Sequence, residues 1–365
     1  MKLFNSTPVP ARLLTNPELA RGELGIGTLT AKATFRFDRR GRIELDTQNP
    51  FPLFDADRPH PVGLLPTDRP ACRGDRFEVM LLGHAYAAHG RALESLRVAL
   101  EVGDERREIQ VVGDRHWVQR RGQAAYLTPP VPFERMPLSY ERSFGGSCGV
   151  QLDEHTVMDV WDPVNRRGRG FDAQARAVAL AATLGAPAGY PRLLADRRDA
   201  PNLEHPNALV VSPTDAPEPV GWAPAYPDIA VQHLGVLRRL AAHANSPLPP
   251  PQASAEDPDA TFFRAHSDLV LSLPAPGAHV RLENLLPDVP VIEFALPTLR
   301  VVADYVIYGR TGERDLRPYA LVLLPDEAAF YLCYGVPFTF EKGPASERAF
   351  RLRTASGWFT GSAVS

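Results

Sequence analysis

Apolar and polar residues alternate most regularly between Thr28 and Phe37. Leu29, Ala31, Ala33, Phe35 and Phe37 fall on one face of an extended chain, and Thr28, Thr30, Lys32, Thr34 and Arg36 on the other. The pattern predicts a strand with one core face and one polar face. Asp38-Arg39-Arg40-Gly41 then reads as a turn, and Ile43 and Leu45 resume the alternation on a return strand. Asn49 to Pro70, rich in proline and aspartate, is expected to be irregular. Phe77 to Tyr86 reads as one strand, with Phe77, Val79 and Leu81 in phase. Leu96, Val98, Leu100 and Val102 alternate against Arg97, Ala99 and Glu101, and Ile109 and Val111 return the chain after Gly103-Asp104-Glu105.

The periodicity changes in the middle of the chain. Asp172 to Leu184 is the best helical stretch, with Asp172 as N-cap, an alanine-rich body and Gly185 as the stop. A second helix is expected over Ile229 to Ala244, where Ile229, His233, Val236, Leu237 and Leu240 share a side, and Asn245 to Pro258 reads as a linker. Strands return at Val291–Leu296, Val301–Tyr308, Tyr319–Leu324 and Phe330–Phe340, which predicts a meander. The expected fold is mainly β: antiparallel β-sandwich-like lobes with a loop-rich middle region and one or two short helices. The expected organisation is an N-terminal β lobe over 1–128, a loop-rich middle over 129–258 and a C-terminal β lobe over 259–365, forming one continuous unit.

Composition sharpens this picture. The chain has 365 residues and 44% hydrophobic content, enough for a sizeable core. Its 37 prolines favour turns, strand edges and ordered loops over long helices. Arginine and lysine total 40 against 43 acids, a net charge of −3 that leaves no electrostatic footprint for nucleic acid. Cys72, Cys148 and Cys333 lack disulfide-like or metal-like spacing, which suits a reducing compartment. No secretory leader and no apolar run long enough for a membrane span is visible, so the expected location is the cytoplasm.

Candidate chemistry concentrates in the middle. Pro137 to Gly146 reads Pro-Leu-Ser-Tyr-Glu-Arg-Ser-Phe-Gly-Gly, a short two-faced segment ended by two glycines. Gly145-Gly146-Ser147-Cys148-Gly149 matches the G-x-S-x-G pattern, but that motif works only where a buried strand enters the serine and a helix leaves it. The residues after it, Val150 to Val160, have no helical period. Cys148 and His155 could form a thiol–imidazole pair, and His84 with His89, or Asp153 with His155, could ligate a metal. None of these has the spacing that makes such chemistry specific. Gly22, Gly25 and Gly27 precede a strand, the wrong order for a phosphate-cradling loop. Among the acids, Asp153-Glu154, Glu204 and Asp304 read as caps, turns or ion-pair members; Arg142 is matched provisionally with Glu204.

The ordered set of motifs resembles a family of bacterial type VI secretion accessory proteins, long catalogued as a domain of unknown function. The resemblance is carried by Pro137–Gly146 with Asn165, Gly168, Gly170 and Phe171. It extends to Thr30–Phe35, Val112–Trp117, Pro201-Asn202-Leu203-Glu204 and Pro219-Val220-Gly221-Trp222-Ala223-Pro224. It implies an effector-loading adaptor or chaperone without cofactor or metal. Its partners would be a secreted effector, a PAAR-type tip protein or the VgrG spike, with no nucleic acid or membrane. The residues so implicated are Tyr140, Glu141, Arg142, Phe144, Gly145, Gly146, Asn165, Gly168, Gly170, Phe171, Asn202, Glu204 and Trp222. The alternative is a hydrolase or lyase using Ser147, Cys148 or His155.

Overall fold

The structure is a computed structural model that describes residues 2–21, 24–68, 76–118, 124–194, 198–229, 263–341 and 348–360. Its centre is the strand Leu24–Phe37, in a seven-stranded sheet. The order there is Ala11–Arg21, Leu24–Phe37, Ala329–Glu341, Arg317–Leu324, Arg76–Leu81 and Val270–Ser272, with Ile43–Leu45 also paired to Leu24–Phe37. Ladders in this sheet are antiparallel except that Arg317–Leu324 runs parallel to Arg76–Leu81. A five-stranded sheet is ordered Leu203–Glu204, Glu105–Val112, Ser95–Val102, His279–Leu286 and Val289–Ala295. A four-stranded sheet joins Lys2–Asn5, Arg348–Thr360, Thr298–Ile307 and Arg310–Asp315.

Aromatic rings close the space between the two larger sheets. Phe294 of the five-stranded sheet stacks on Phe330 and Phe37 of the seven-stranded one, at centroid distances of 5.2 and 5.6 Å. Phe338 meets Tyr305 and Phe350 of the four-stranded sheet at 5.3 and 4.8 Å. One buried cluster runs through all three sheets, from Val9 to Leu352. Strands from the first and last thirds of the chain are thereby hydrogen-bonded into common sheets. The C-terminal strands do not form one meander: their three hairpins stand in three different sheets.

The expected mainly β fold holds, and further local details differ from it, the first being a short hairpin, Arg58–His60 with Gly63–Leu65, inside the stretch expected to be irregular. Phe77 to Tyr86 is two strands, Arg76–Leu81 and His84–Tyr86, parted where Leu82 donates to the Leu323 carbonyl (3.0 Å). More consequentially, the polar face of Leu24–Phe37 is covered. Thr30, Lys32 and Thr34 are as buried as Leu29 and Phe35, because the segment over 46–68 folds across them. The Phe51 amide donates to Thr34 Oγ1 (2.8 Å), and Lys32 Nζ donates to the Pro52 carbonyl (2.9 Å).

The middle region packs a smaller core. The α-helix Ala173–Leu184 starts at Asp172, whose carboxylate accepts from the Gln174 and Ala175 amides, and ends at Gly185 with φ 67°. Ala173, Ala177 and Ala181, spaced by four, sit against Val150, Leu152 and Val160 of the hairpin Ser147–Gln151 and Val157–Trp161. The helix expected over Ile229 to Ala244 falls outside the described residues apart from Ile229, as does the linker over Asn245 to Pro258. Among the described residues, no helix is long and apolar enough to cross a membrane.

Candidate functional site

The motif residues converge on one knot of crossing loops. Its centre is Asn165, fully buried. Asn165 Nδ2 donates to the carbonyls of Tyr140 and Phe144, each at 2.9 Å, and its own carbonyl accepts from the Gly146 amide at 2.7 Å. One residue therefore satisfies the Tyr140 and Phe144 carbonyls with its side chain and the Gly146 amide with its backbone. The glycines are required by space. A Cβ on Gly145 would lie 2.0 Å from the Asn165 oxygen, one on Gly168 2.5 Å from the Ser143 oxygen, and Gly145 holds φ 134°. Phe144–Gly145 and Arg169–Gly170 then pair in parallel, which continues the knot into the helix approach at Phe171.

A second, charged layer lies beside it. Asn202, also fully buried, accepts from Arg142 Nη1 at 3.1 Å and donates to the Val112 carbonyl at 2.9 Å and to Asp114 Oδ1 at 3.1 Å. Asp114 Oδ1 also receives Arg142 Nη1 at 2.6 Å and Arg169 Nη1 at 3.4 Å. The expected match of Arg142 with Glu204 is not the one formed. Glu204 is bound instead by Arg115 Nη2, and its other oxygen accepts from the Val210 amide at 3.0 Å. Burial pushes the Glu204 carboxyl pKa up, while the Arg115 charge and the Val210 N–H pull it back. Arg115 is shifted down by the same burial. Strand pairing decides this exchange of partners: Glu204 pairs with Gln110 on Glu105–Val112, which brings the Gly113-Asp114-Arg115 turn alongside.

Tyr140 and Trp222 are core residues. Tyr140 packs with Ala225 and Ile229, and its ring rests on Gly221, where a Cβ would approach to 2.6 Å. Its hydroxyl pKa is raised by burial. Trp222 is buried in the main core, and its carbonyl accepts from the Leu81 amide at 2.7 Å. Glu141 is held through its carbonyl, which accepts from Arg169 Nε at 3.1 Å. Its carboxylate meets the Tyr226 hydroxyl, whose pKa is raised chiefly by burial and then by this bond. Phe171 is half-buried against the helix core.

Sequence reading missed Asp114, Arg115, Ser143, Arg169 and Arg198 as members of the knot. Ser143 Oγ accepts from the Val220 amide at 2.8 Å, and Arg198 donates from Nη2 to the Gly170 carbonyl at 2.7 Å. Asp114 and Arg115 stand beside a glycine in a motif string, the one signal that could have found them.

Two clefts open beside the knot. One, of about 670 Å³, is bordered by Gly145, Gly146, Ser147, Cys148, Arg169 and Arg198. The other, of about 640 Å³, lies between Arg106–Ile109 and Val220–Trp222 with His266 and Asp268. Ser147 and Cys148 thus share a cleft. Ser147 opens an antiparallel hairpin with no helix leaving from it, and His155 stands in the turn at the hairpin's far end, its amide on Asp153 Oδ1 at 2.8 Å. His84 contacts Asp326 (2.6 Å) rather than His89. Among the described residues, no group of three or more His, Cys, Asp or Glu side chains is placed to hold a metal.

Searches of curated proteins and of solved structures return no match for the chain. Residues 23–334, which include every residue of the knot, match one family, and the chain belongs to it: the uncharacterized proteins conserved in bacteria grouped as DUF2169.

Proposed function

We propose that the protein is a binding module, a cytoplasmic adaptor or chaperone that holds a type VI secretion effector, or its PAAR-type tip, and promotes its loading on the VgrG spike. The sequence resemblance of the ordered motifs carries this reading. Its physical support is the way those motifs are used: Asn165, Asn202, Glu204 and Arg142 direct their polar atoms at neighbouring loops, which makes a stiff scaffold and leaves clefts and strand edges as the working surface. Binding of this kind needs an interface of roughly 1,600 Å² in total, with a few aromatic and arginine anchors.

Deletion of the gene is expected to stop delivery of one effector while the apparatus and its other effectors work normally. The tagged protein is expected to co-purify with products of neighbouring effector, tip or spike genes. Normal delivery of every effector, with none of those partners recovered, would end this reading. One observation favours the alternative, a hydrolase or lyase: Ser147 and Cys148 both border the 670 Å³ cleft. Rapid labelling of Ser147 by a fluorophosphonate would establish it.

A further inference from the structure

Among the described residues, the strand Val157–Trp161 lies at the outer end of its three-stranded sheet, paired on one side only with Ser147–Gln151. Two bonds fix which backbone groups face the open side. Asp162 donates to the Gly146 carbonyl and Leu152 to the Thr156 carbonyl, each at 2.9 Å. In an antiparallel ladder these groups alternate, so Thr156, Met158, Val160 and Asp162 turn inward while Val157, Asp159 and Trp161 turn their N–H and C=O outward. The edge is also apolar: Val157 is 56% exposed, Met158 42% and Trp161 47%. Folded proteins normally blunt such an edge, because it is a template for another strand.

Charge selects the occupant. On the face shared by Val157, Asp159 and Trp161, an acid stands between two exposed apolar side chains. The hairpin over 152–162 carries Asp153, Glu154, Asp159 and Asp162 and no lysine or arginine. Asp153 is held below the usual carboxylate range by the His155 amide and Thr156, so it stays ionised. A cation beside the edge, Arg166, lies over the Trp161 ring at 5.3 Å. A second copy of the chain fits poorly, since a two-fold pair centred on this strand sets one Asp159 against the other and brings two acidic hairpins together.

We propose that Val157–Trp161 is a docking edge that accepts an extended segment of a partner protein, adding it as a strand whose facing side chains run apolar, basic, apolar. The inference rests on the edge itself; under the secretion reading the effector or its tip would supply the segment.

The probe is an acetylated, amidated peptide, Thr-Val-Thr-Lys-Thr-Val-Thr, carrying a terminal benzophenone, with a control that has glutamate in place of lysine. Photo-crosslinking to the full chain, mapped by mass spectrometry, is expected beside residues 157–161. Cross-strand opposite and like charges differ by up to roughly 1–2 kcal/mol, so the lysine probe should label about tenfold more strongly than the glutamate probe. Asp159→Lys should reverse that preference. Asp159→Pro removes an outward N–H but no ladder bond, and should abolish labelling by both probes with the circular dichroism unchanged. Equal labelling by the two probes, labelling centred elsewhere, or a preference unaltered in Asp159→Lys would overturn the proposal. So would a wild-type dimer in sedimentation that Asp159→Pro dissociates, which would assign the edge to a second copy. A deletion strain that delivers every effector would remove the secretion reading and leave the charge preference standing; loss of the preference would do the reverse.

Discussion

Lys32 Nζ lies 2.7 Å from Asp68 Oδ2, with the two side chains 0% and 2% exposed. The ammonium also sits 4.0 Å from the Phe54 ring centroid and 4.4 Å from that of Tyr331. Asp68 in turn accepts from the Phe54 amide and from Cys333 Sγ. One of the chain's few lysines therefore pins the segment over 46–68 onto the central sheet.

Removing one member of such a pair leaves a buried charge uncompensated. Lys32→Met is expected to lower stability by roughly 3–5 kcal/mol, and Asp68→Leu similarly. The double replacement Lys32→Met with Asp68→Leu should cost much less than the sum. Urea unfolding of the four proteins measures the coupling.

The knot predicts which arginine matters for Glu204. Arg115→Ala leaves a fully buried carboxylate without its cation and should cost roughly 3–5 kcal/mol. Arg142 is 26% exposed and bound to the more exposed Asp114, but it also donates to the buried Asn202, so Arg142→Ala should cost about 1–3 kcal/mol, less than Arg115→Ala. A double-mutant cycle should find strong coupling of Glu204 to Arg115 and none to Arg142. Equal losses from the two arginine variants would contradict the assignment.

Asn165→Ala removes the side-chain donor from two buried carbonyls: that of Phe144, and that of Tyr140, which keeps the Ser143 amide at 3.2 Å. At roughly 1–3 kcal/mol for the unsatisfied Phe144 carbonyl and about 1 kcal/mol for the other lost hydrogen bond, stability should fall by about 2–4 kcal/mol. Gly145→Ala should be worse, since its methyl would meet the Asn165 oxygen at a φ that side chains disfavour. Thermal unfolding should rank wild type, Asn165→Ala and Gly145→Ala in descending order.

Glu78 gives a pH signature. Burial raises its carboxyl pKa from 4.5 to about 7, against the opposing pull of the Ala265 and Arg264 amides and the Arg264 charge. Between those values the folded state keeps a proton that the unfolded chain has lost. This contribution to stability is therefore complete below pH 4.5, shrinks as pH rises, and is gone above about pH 7. Glu78→Gln, which keeps an oxygen for the two amides, should unfold with a flatter pH profile and gain relative to wild type as pH rises toward 8. Parallel profiles for the two proteins would show that Glu78 is not protonated in the folded state.

Local chemistry determined the elements. Alternation located strands at Thr28–Phe37, at Leu96–Val102 with its return through Ile109 and Val111, and at Tyr319–Leu324 and Phe330–Phe340, each inside a longer observed strand; Asp172 and Gly185 bounded the helix through capping and left-handed backbone, both properties of neighbouring residues. Glycine pairs marked the knot because tight backbone crossings exclude a Cβ whatever their partners. The partners themselves were decided at long range. Thr30, Lys32 and Thr34 have a polar signature, and nothing within the strand shows that a loop ending at Asp68 will cover them and supply the compensating charge. The C-terminal hairpins were each readable, but their distribution among three sheets depends on strands hundreds of residues away. The choice of Arg115 over Arg142 for Glu204 likewise follows from register against Gln110, a tertiary relation that side-chain charge alone cannot specify.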